Sequence, residues 1–494
     1  MLQRVHSRTE AWPLHGLVRT RAIETAALQG LAPFSLMQRA GEAVARLVRA
    51  IAPHTRRVWV AAGPGNNGGD GLVAAVALQH AGIEAIVTLA ADPARLQGDA
   101  RQAHALALAA GLRWADDVPD GFGRAGDMAL DALLGIGGSR APEGRLAALV
   151  ATLNALACPV VAIDLPSGLN GDTGQPHGDA CVTASHTLSL LTLKPGLFTG
   201  QGRDHAGEAW LDDLGIASDR PDACLSPAPS PAGWQRRHGQ HKGSFGDLVV
   251  IGGAHGMAGA ALLAARAGHA AGAGRVYLGF LDEDGPTLDA ERPELMVRRA
   301  PWRDDLLLQA TVVCGCGGGD AVRTVLPRVI GQAQRLVLDA DGLNAVAHDT
   351  GLRQLLAARG RGGRPSVLTP HPLEAARLLG SGTKAVQADR VGAAQALADE
   401  LHSVVVLKGS GSVVAAPGQL PFINPTGNAA LATAGTGDVL AGWLGGRWST
   451  RSDAPQAVAA EAAWQHGHAA DRSPVTPLRA SDLIEALHAL QLRR

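Results

Sequence analysis

Arg57-Val58-Trp59-Val60-Ala61-Ala62 runs directly into Gly63-Pro64-Gly65-Asn66-Asn67-Gly68-Gly69-Asp70-Gly71, and a helical pattern follows over Leu72 to Ala81. A short unbroken apolar run, a glycine-rich turn and a helix make a strand–loop–helix unit whose strand is buried on both faces. Five glycines in nine positions let backbone amides turn toward a ligand, and the helix that follows offers its positive end to a phosphate. The spacing is not the dinucleotide G-x-G-x-x-G pattern, and it lacks the lysine of a Walker loop. Two asparagines and an aspartate can bind ribose hydroxyls or a cation. The plain alternative, a glycine-rich turn capped by Asp70, explains Asn66 and Asn67 poorly.

The same alternation extends outward. Leu36, Met37, Ala40, Val44, Leu47, Val48 and Ile51 fall at helical spacing from about Ser35. Downstream, strands are predicted at Glu84 to Ala90, Met128 to Leu134, Val160 to Leu165 and Thr187 to Leu193. Helices are predicted at Asp92 to Ala110 and Glu143 to Ala157. This is a parallel sheet wrapped on both faces, a Rossmann-like α/β domain over residues 1–218. Asp219 to Trp234 (DRPDACLSPAPSPAGW) holds four prolines without apolar periodicity, which predicts a linker over 219–235. Alternation restarts over 236–494. Strands are predicted at Leu248 to Ile251, Arg275 to Phe280, Thr311 to Cys314, Leu336 to Leu338, Ser366 to Thr369 and Val404 to Leu407. Helices are predicted near Gly259 to Ala271, Ala321 to Ile330, Leu373 to Leu379, Arg390 to Leu401, Val439 to Arg447 and Pro455 to Ala470.

Composition agrees with two α/β domains. The chain has 494 residues, 46% of them apolar, more than one ordinary domain needs. A net charge of −1 with 18% charged residues leaves no electrostatic footprint for nucleic acid or an anionic bilayer, so small molecules are the expected partners. No segment approaches the ~20 apolar residues of a membrane helix. Met1 to Arg21 lacks a signal-type apolar core. Cys158, Cys181, Cys224, Cys314 and Cys316 lack paired metal or disulfide spacing, so a reduced cytoplasmic location is expected. The 63 glycines exceed the usual ~7%, and they cluster at 63–71, 315–319 and 435–437.

Asp131, Asp164 with Ser167, and Lys194 lie at or just beyond apolar runs, at the carboxyl edge where open α/β sheets bind ligands. Each carboxylate alone could be a cap or turn residue, and Lys194 alone surface decoration. Together with Leu36 to Gly41, Asn66 to Gly71, Asp131 to Gly135, Asp164 to Gly168 and Leu193 to Gly196, these residues resemble the epimerase domain of NAD(P)H-hydrate repair enzymes across most of residues 10–215. The resemblance implies that Asn66, Asn67, Gly68, Gly69 and Asp70 bind the hydrated cofactor. It implies the same of Gly135, Ile136, Gly137, Gly138, Ser139, Arg140 and Asp164, with isoleucine at 136 where threonine is more usual. It further implies that Asn67, Asp131 and Ser167 hold K+. The hydrated ring is a hemiaminal, so scrambling its stereocentre needs proton transfer, for which Asp164, with Lys194, is the expected catalytic group.

In the second domain, Gly435-Thr436-Gly437-Asp438 opens a helix. Its free N–H groups can hold a transferring phosphoryl group while Asp438 takes the proton of the attacking hydroxyl; a plain helix cap is the alternative. Lys408-Gly409-Ser410-Gly411-Ser412 reads as a nucleotide-phosphate turn or a simple hairpin. His371 sits between two prolines at a strand end. With His241 to Gly243, Gly252-Gly253 and Met257 to Ala261, these residues resemble the ribokinase-like dehydratase half of the same enzymes over about 236–475. That resemblance implies substrate contacts at Ala260, Gly315, Gly317, His371 and Asp438, with Asp438 as catalytic acid/base. It implies nucleotide contacts at Lys408, Gly409, Ser410, Gly411, Ser412 and Gly437, with ADP and Mg2+ as co-substrate and cofactor. Cys316, Ala430 and Ala434 depart from the usual proline and glycines.

The resulting expectation is an enzyme that epimerises hydrated NADH and NADPH in one domain and dehydrates one epimer in the other, releasing AMP and phosphate, as a homo-oligomer. A ribokinase-class kinase fused to a non-catalytic binding domain is the alternative. It leaves the acidic site of the first domain unexplained.

Overall fold

The computed structural model describes residues 1–230, 236–303 and 305–491. Contacts divide it into one unit of residues 1–6 and 12–223 and a second of residues 7–11 and 224–494.

In the first unit, α1 (Leu17–Gly30) and α2 (Ser35–Ile51) precede β1 (Arg57–Ala62) and α3 (Asn66–His80). Then come β2 (Glu84–Leu89), α4 (Gly98–Ala109), β3 (Asp127–Ala132), α5 (Arg145–Ala155), β4 (Val160–Ile163), β5 (His186–Leu190) and β6 (Glu208–Asp212). The sheet runs β6-β5-β4-β3-β1-β2, these six parallel, with two-residue strands at its edges, Gln3–Arg4 antiparallel to β6 and Arg113–Trp114 parallel to β2. The unbroken apolar reading of β1 has a direct cause. Val58 and Val60 enter one core and Trp59 and Ala61 the opposite one, so both faces are dry.

The expected loop of residues 63–71 is shorter than its glycines suggest. Helix α3 begins at Asn66, so only Gly63 to Gly65 turn the chain and the Asn-Asn-Gly-Gly-Asp motif forms the helix's first turns. Helix propensity argues against this, but packing decides it. A Cβ on Gly69 would lie 2.6 Å from Met37 Cε, one on Gly71 2.5 Å from Ala132 Cβ, and one on Gly68 2.1 Å from the Gly63 carbonyl. These glycines let α3 press against α2, β3 and its own entry turn. The helix expected over 92–110 is interrupted, with a 3-10 turn at Pro93–Arg95 before α4. Helix α1 was not anticipated; Thr20 is its one fully buried residue, so it carries no apolar stripe.

The second unit holds β7 (Asp247–Gly252), α6 (Ala258–Ala270), β8 (Arg275–Phe280), β9 (Thr311–Cys314), α7 (Val322–Gln332), β10 (Arg335–Leu338) and α8 (Ala340–His348). It continues with α9 (Thr350–Arg361), β11 (Ser366–Leu368), α10 (Pro372–Leu379), α11 (Arg390–Leu401), β12 (Val404–Leu407), β13 (Val413–Ala415) and β14 (Phe422–Ile423). It closes with α12 (Thr436–Ser449), α13 (Pro455–Asp471) and α14 (Ala480–Leu490). Strands β8-β7-β9-β10-β11-β12 are parallel, and β13 and β14 add antiparallel. Leu248 and Val250 face one core while Val249 and Ile251 face the other.

The proline-rich segment expected as a linker is partly ordered as strand, since Cys224 and Leu225 pair in parallel with Phe422 and Ile423. Residues 231–235 of that segment lie outside the described residues.

Candidate active sites

Strand β1 lies between β2 and β3, so the loops after β1 and β3 diverge to opposite faces and leave a crevice at the carboxyl edge. A pocket of about 580 Å³ opens there. Asn66, Asn67, Asp70, Gly135 to Gly138, Asp164 and Lys194 line it, as the sequence led us to expect. Gly68 and Gly69 do not, because they are buried in helix packing. Ser139 and Arg140 are exposed beyond its rim. Arg21 and Glu24 from α1 line the pocket and were missed. Thr20, Arg21, Glu24, Thr25 and Leu28 share one face at helical spacing, a polar stripe that could have been read.

Asp164 ends β4 with φ +67°, a left-handed conformation that turns its carboxylate back over the strand ends. Oδ1 accepts from the Lys194 ammonium and from Leu190 N at 3.2 Å; Oδ2 accepts from Ile136 N at 3.3 Å. The main chain of Ile136 is therefore used, whatever its side chain. Lys194 is 1% exposed, and its other two protons reach Leu190 O at 2.8 Å and Ser189 Oγ at 3.3 Å. Leu191 at φ +64° bends the chain after β5 so that Lys194 can point back. Burial pushes the Asp70 carboxyl well above the usual range, reinforced by the charge of Asp164; Glu24 rises for the same two reasons.

Asp131, wholly buried at the end of β3, accepts from Ser167 Oγ at 2.6 Å, Ser167 N at 2.7 Å and Leu133 N at 3.2 Å. Burial pushes its carboxyl up to about 6, against the lowering effect of the Ser167 bonds. Both amide atoms of Asn67 are buried without a hydrogen-bond partner among the described residues. A Cβ on Gly135 would lie 3.1 Å from Asn67 Oδ1 and 3.2 Å from Asp164 Oδ2, so only a glycine leaves that gap open.

In the second unit the loops after β7, β9, β10, β11 and β12 meet α12. Gly315 (φ +117°) and Gly317 (φ +59°) fold the loop after β9. A Cβ on Gly315 would strike Asp339 O at 2.0 Å, and one on Gly317 would lie 2.9 Å from Ala260 Cβ. This brings Ala260 and Gly317 together. The polar atoms of Cys316, Asp339 and Asp438 lie within 4.8 Å of one another. The Asp438 carboxyl is pushed up to about 6 by burial and by the charge of Asp339, while the Cys316 thiol bonded to it holds it down. Burial pushes the Cys316 thiol far up, so it stays protonated and donates.

Lys408 follows β12 and opens the turn that ends at Ser412. Its Nζ donates to Asp339 Oδ1 at 2.7 Å and would lie 3.2 Å from a Cβ on Gly437. Burial would lower the Lys408 ammonium, but the charges of Asp339 and Glu374 outweigh it and raise it. Asp339 follows β10 at the N-cap position of α8, yet makes no capping bond to that helix. Sequence reading missed Asp339, whose place is that of an ordinary cap. The turn from Gly409 to Ser412 joins antiparallel β12 and β13, so its frame is a hairpin. Buried Arg390 braces it through the carbonyls of Leu407 and Lys408. Gly409 (φ +136°) and Gly411 (φ +59°) shape it, and Ser412 Oγ bonds back to Gly409 O at 3.1 Å.

His371 is the N-cap of α10. Its Nδ1 accepts from Leu373 N at 3.1 Å and its Nε2 lies 3.2 Å from Glu374 Oε1. Gly435 at φ +90° opens α12, with Leu263 Cδ1 and Ala480 Cβ too close for any side chain there. Buried His466, whose pKa burial lowers to about 4, bonds the Thr436 carbonyl and fixes that first turn. Ala430 places its methyl in the core and Ala434 is exposed, so neither departure from glycine meets an obstruction.

Two doubly wound units, one with a buried acid–lysine pair and one with a lysine and carboxylates at a helix start, define a two-centre α/β enzyme of small-molecule chemistry. Residues 33–196 match the family described as YjeF-related protein N-terminus, and residues 248–491 match the NAD(P)H-hydrate dehydratase family. The bifunctional NAD(P)H-hydrate repair enzyme Nnr of Coxiella burnetii is 36% identical over 95% of this chain and 97% of its own. The enzyme of the same name from Escherichia coli K12 is 35% identical over 96% and 92%. A solved ADP/ATP-dependent NAD(P)H-hydrate dehydratase from Bacillus subtilis, co-crystallized with ATP/Mg2+, is 29% identical over 54% of this chain and 97% of that one, with a TM-score of 0.45. The chain belongs to the family of bifunctional NAD(P)H-hydrate repair enzymes.

Proposed function

We propose that this chain repairs hydrated NADH and NADPH, with residues 1–218 interconverting the two epimers and residues 236–494 dehydrating the S form at the expense of ADP. The observation that carries this reading is the family match along nearly the whole chain, with acid/base groups present in both halves. A kinase fused to a non-catalytic module is not favoured, because the first pocket keeps Asp70, Asp164 and Lys194 together.

In the first pocket, Asp164 moves the proton that lets the hydroxyl-bearing carbon lose and regain its configuration, and Lys194 holds that carboxylate in place. Asn66, Asp70 and the amides of residues 135–138 bind the substrate. K+ fits beside Asn67, Asp131 and Ser167, which offer an amide, a carboxylate and a hydroxyl oxygen, all hard donors, with the Asn67 amide lacking any partner of its own among the described residues. When bound, the cation would supply positive potential for the phosphates of the substrate.

In the second centre, Asp438 takes the proton of the ring hydroxyl as that oxygen attacks the terminal phosphorus of ADP. AMP leaves, and the new phosphate ester is then eliminated to restore the dihydropyridine ring. The amides from Gly435 to Asp438 bind the transferring group, and Ala260, Gly315, Gly317 and His371 border the substrate. Gly409 to Ser412 bind the nucleotide. Mg2+ fits as a cation brought by the nucleotide's phosphates. The protein side offers a soft, protonated thiol and an Asp339 already bonded to Lys408, which do not form an all-oxygen cage.

Incubation with hydrated NADH and ADP is expected to restore the absorbance of the reduced nicotinamide from both epimers. Recovery of neither epimer would overturn the proposal. A cytoplasmic, homo-oligomeric enzyme is part of the same reading; the five free cysteines suit a reducing compartment. Light scattering tests the oligomer.

A further inference from the structure

Lys194 is buried and Lys408 half-buried, and the two differ in a further respect. Lys194 has an acceptor for each of its three protons. Lys408 has one, Asp339 Oδ1, and among the described residues no other acceptor meets its Nζ. Two ammonium protons are therefore uncommitted in a side chain only 18% exposed. They lie beside Gly437, in the first turn of α12, where unpaired backbone amides already give positive potential. An ammonium against a helix N-terminus is repulsive unless an anion occupies the space between them. The buried Asp339 carboxylate, 2% exposed and withheld from capping its own helix, offsets that repulsion and fixes where the ammonium stands.

We propose that Lys408 is a catalytic residue of the phosphoryl-transfer step rather than a nucleotide-turn residue, and that Asp339 is the positioning residue that holds its ammonium over Gly437. The proposal rests on the dehydratase reading above. In the step it serves, the bond from the ring hydroxyl oxygen to the β-phosphorus of ADP forms as the bond from that phosphorus to the AMP oxygen breaks. The hydroxyl proton goes to Asp438. Lys408 donates its two open protons to the non-bridging oxygens of the transferring group, and nothing is oxidised or reduced. Cys316 and Asp438 border the same space.

AMP lacks the phosphoryl group that Lys408 would touch, which gives a direct test. Calorimetry on the full chain should find AMP binding to K408M within about threefold of wild type, with the preference for ADP over AMP lost. Turnover should fall by about 10²-fold, the cost of removing one oxyanion donor. D339N should lower kcat at saturating ADP without changing AMP affinity, and K408M/D339N should be no slower than K408M. K408R should recover part of kcat. Loss of AMP affinity with kcat preserved at saturating ADP would overturn the proposal and return Lys408 to the nucleotide turn. Additive losses in the double variant would overturn the role of Asp339. Melting temperatures separate misfolding from either result, and K408R and D339N, which keep size and polarity, carry the test if K408M unfolds. If the wild-type chain restores no NADH, the dehydratase reading fails by itself; the ADP-over-AMP preference of K408M still reports whether Lys408 meets the terminal phosphate.

Discussion

The Lys194 ammonium donates to the Asp164 carboxylate, and its remaining protons go to the Leu190 carbonyl at 2.8 Å and the Ser189 hydroxyl at 3.3 Å. A lysine so fully engaged is suited to fixing a carboxylate rather than to delivering protons. The two residues lie thirty positions apart on neighbouring strand ends and meet because β4 and β5 pair in parallel.

Removing either partner should leave the other charge buried and unpaired. K194M leaves Asp164 buried and uncompensated, at an expected cost of about 3 kcal/mol in urea unfolding. D164N leaves the Lys194 ammonium, 1% exposed, without its counter-ion and should cost a similar amount, while slowing epimer exchange by ~10²-fold or more. Chromatography of the two epimers measures the rate, and dehydration of the S form should be unchanged. Wild-type exchange by D164N would remove Asp164 from the mechanism.

Dehydration should show an acid limb set by Asp438. A proton acceptor works only as carboxylate, and a value raised to about 6 means that form is lost as pH falls through 6. Roughly a tenth should remain at pH 5, read as kcat/KM for the S epimer. Because the Cys316 thiol stabilises the charged form, C316A should move the limb to higher pH by a few tenths. A shift to lower pH would contradict the bond between them.

S167A should remove the 2.6 Å bond to Asp131 and the acceptor for Leu134 N at 2.8 Å. Thermal unfolding should report a loss of about 1–3 kcal/mol for the buried groups left unpaired. Exchange of K+ for choline should slow epimerisation in the wild type and have a smaller effect in S167A. Equal rates in both salts for the wild type would remove the cation from the proposal.

G68A and R140A, two positions first read as substrate contacts, should behave oppositely. A Cβ at 68 meets the Gly63 carbonyl at 2.1 Å, backbone that cannot yield cheaply, so G68A should lose about 1–3 kcal/mol and epimerase activity together. Exposed Arg140 does not line the crevice pocket, and R140A should leave the KM for the hydrate within twofold.

What the sequence determined by itself was periodic and local. Apolar runs such as Arg57 to Ala62 read as strands because both their faces are buried, and glycines at 63–65, 315–319 and 435–437 marked where the backbone turns or approaches other groups. Asp131, Asp164 and Ser167 were legible because they lie at or just beyond such runs, and a parallel sheet collects its strand ends on one edge; Asp438 was legible from the glycines that open its helix. Tertiary structure alone decided which of these groups touch. Asp339 was not singled out in the sequence; strand β11 sets β10 and β12 on its two sides, and that places Asp339 against Lys408 across 69 residues. Glu24 belongs to a helix without an apolar stripe, and only the fold of α1 over the crevice puts it in the pocket with Asp164. The glycines of Asn66 to Gly71 predict a loop by propensity. Close packing of α3 against α2 and β3, a relation between segments distant in sequence, made them helix.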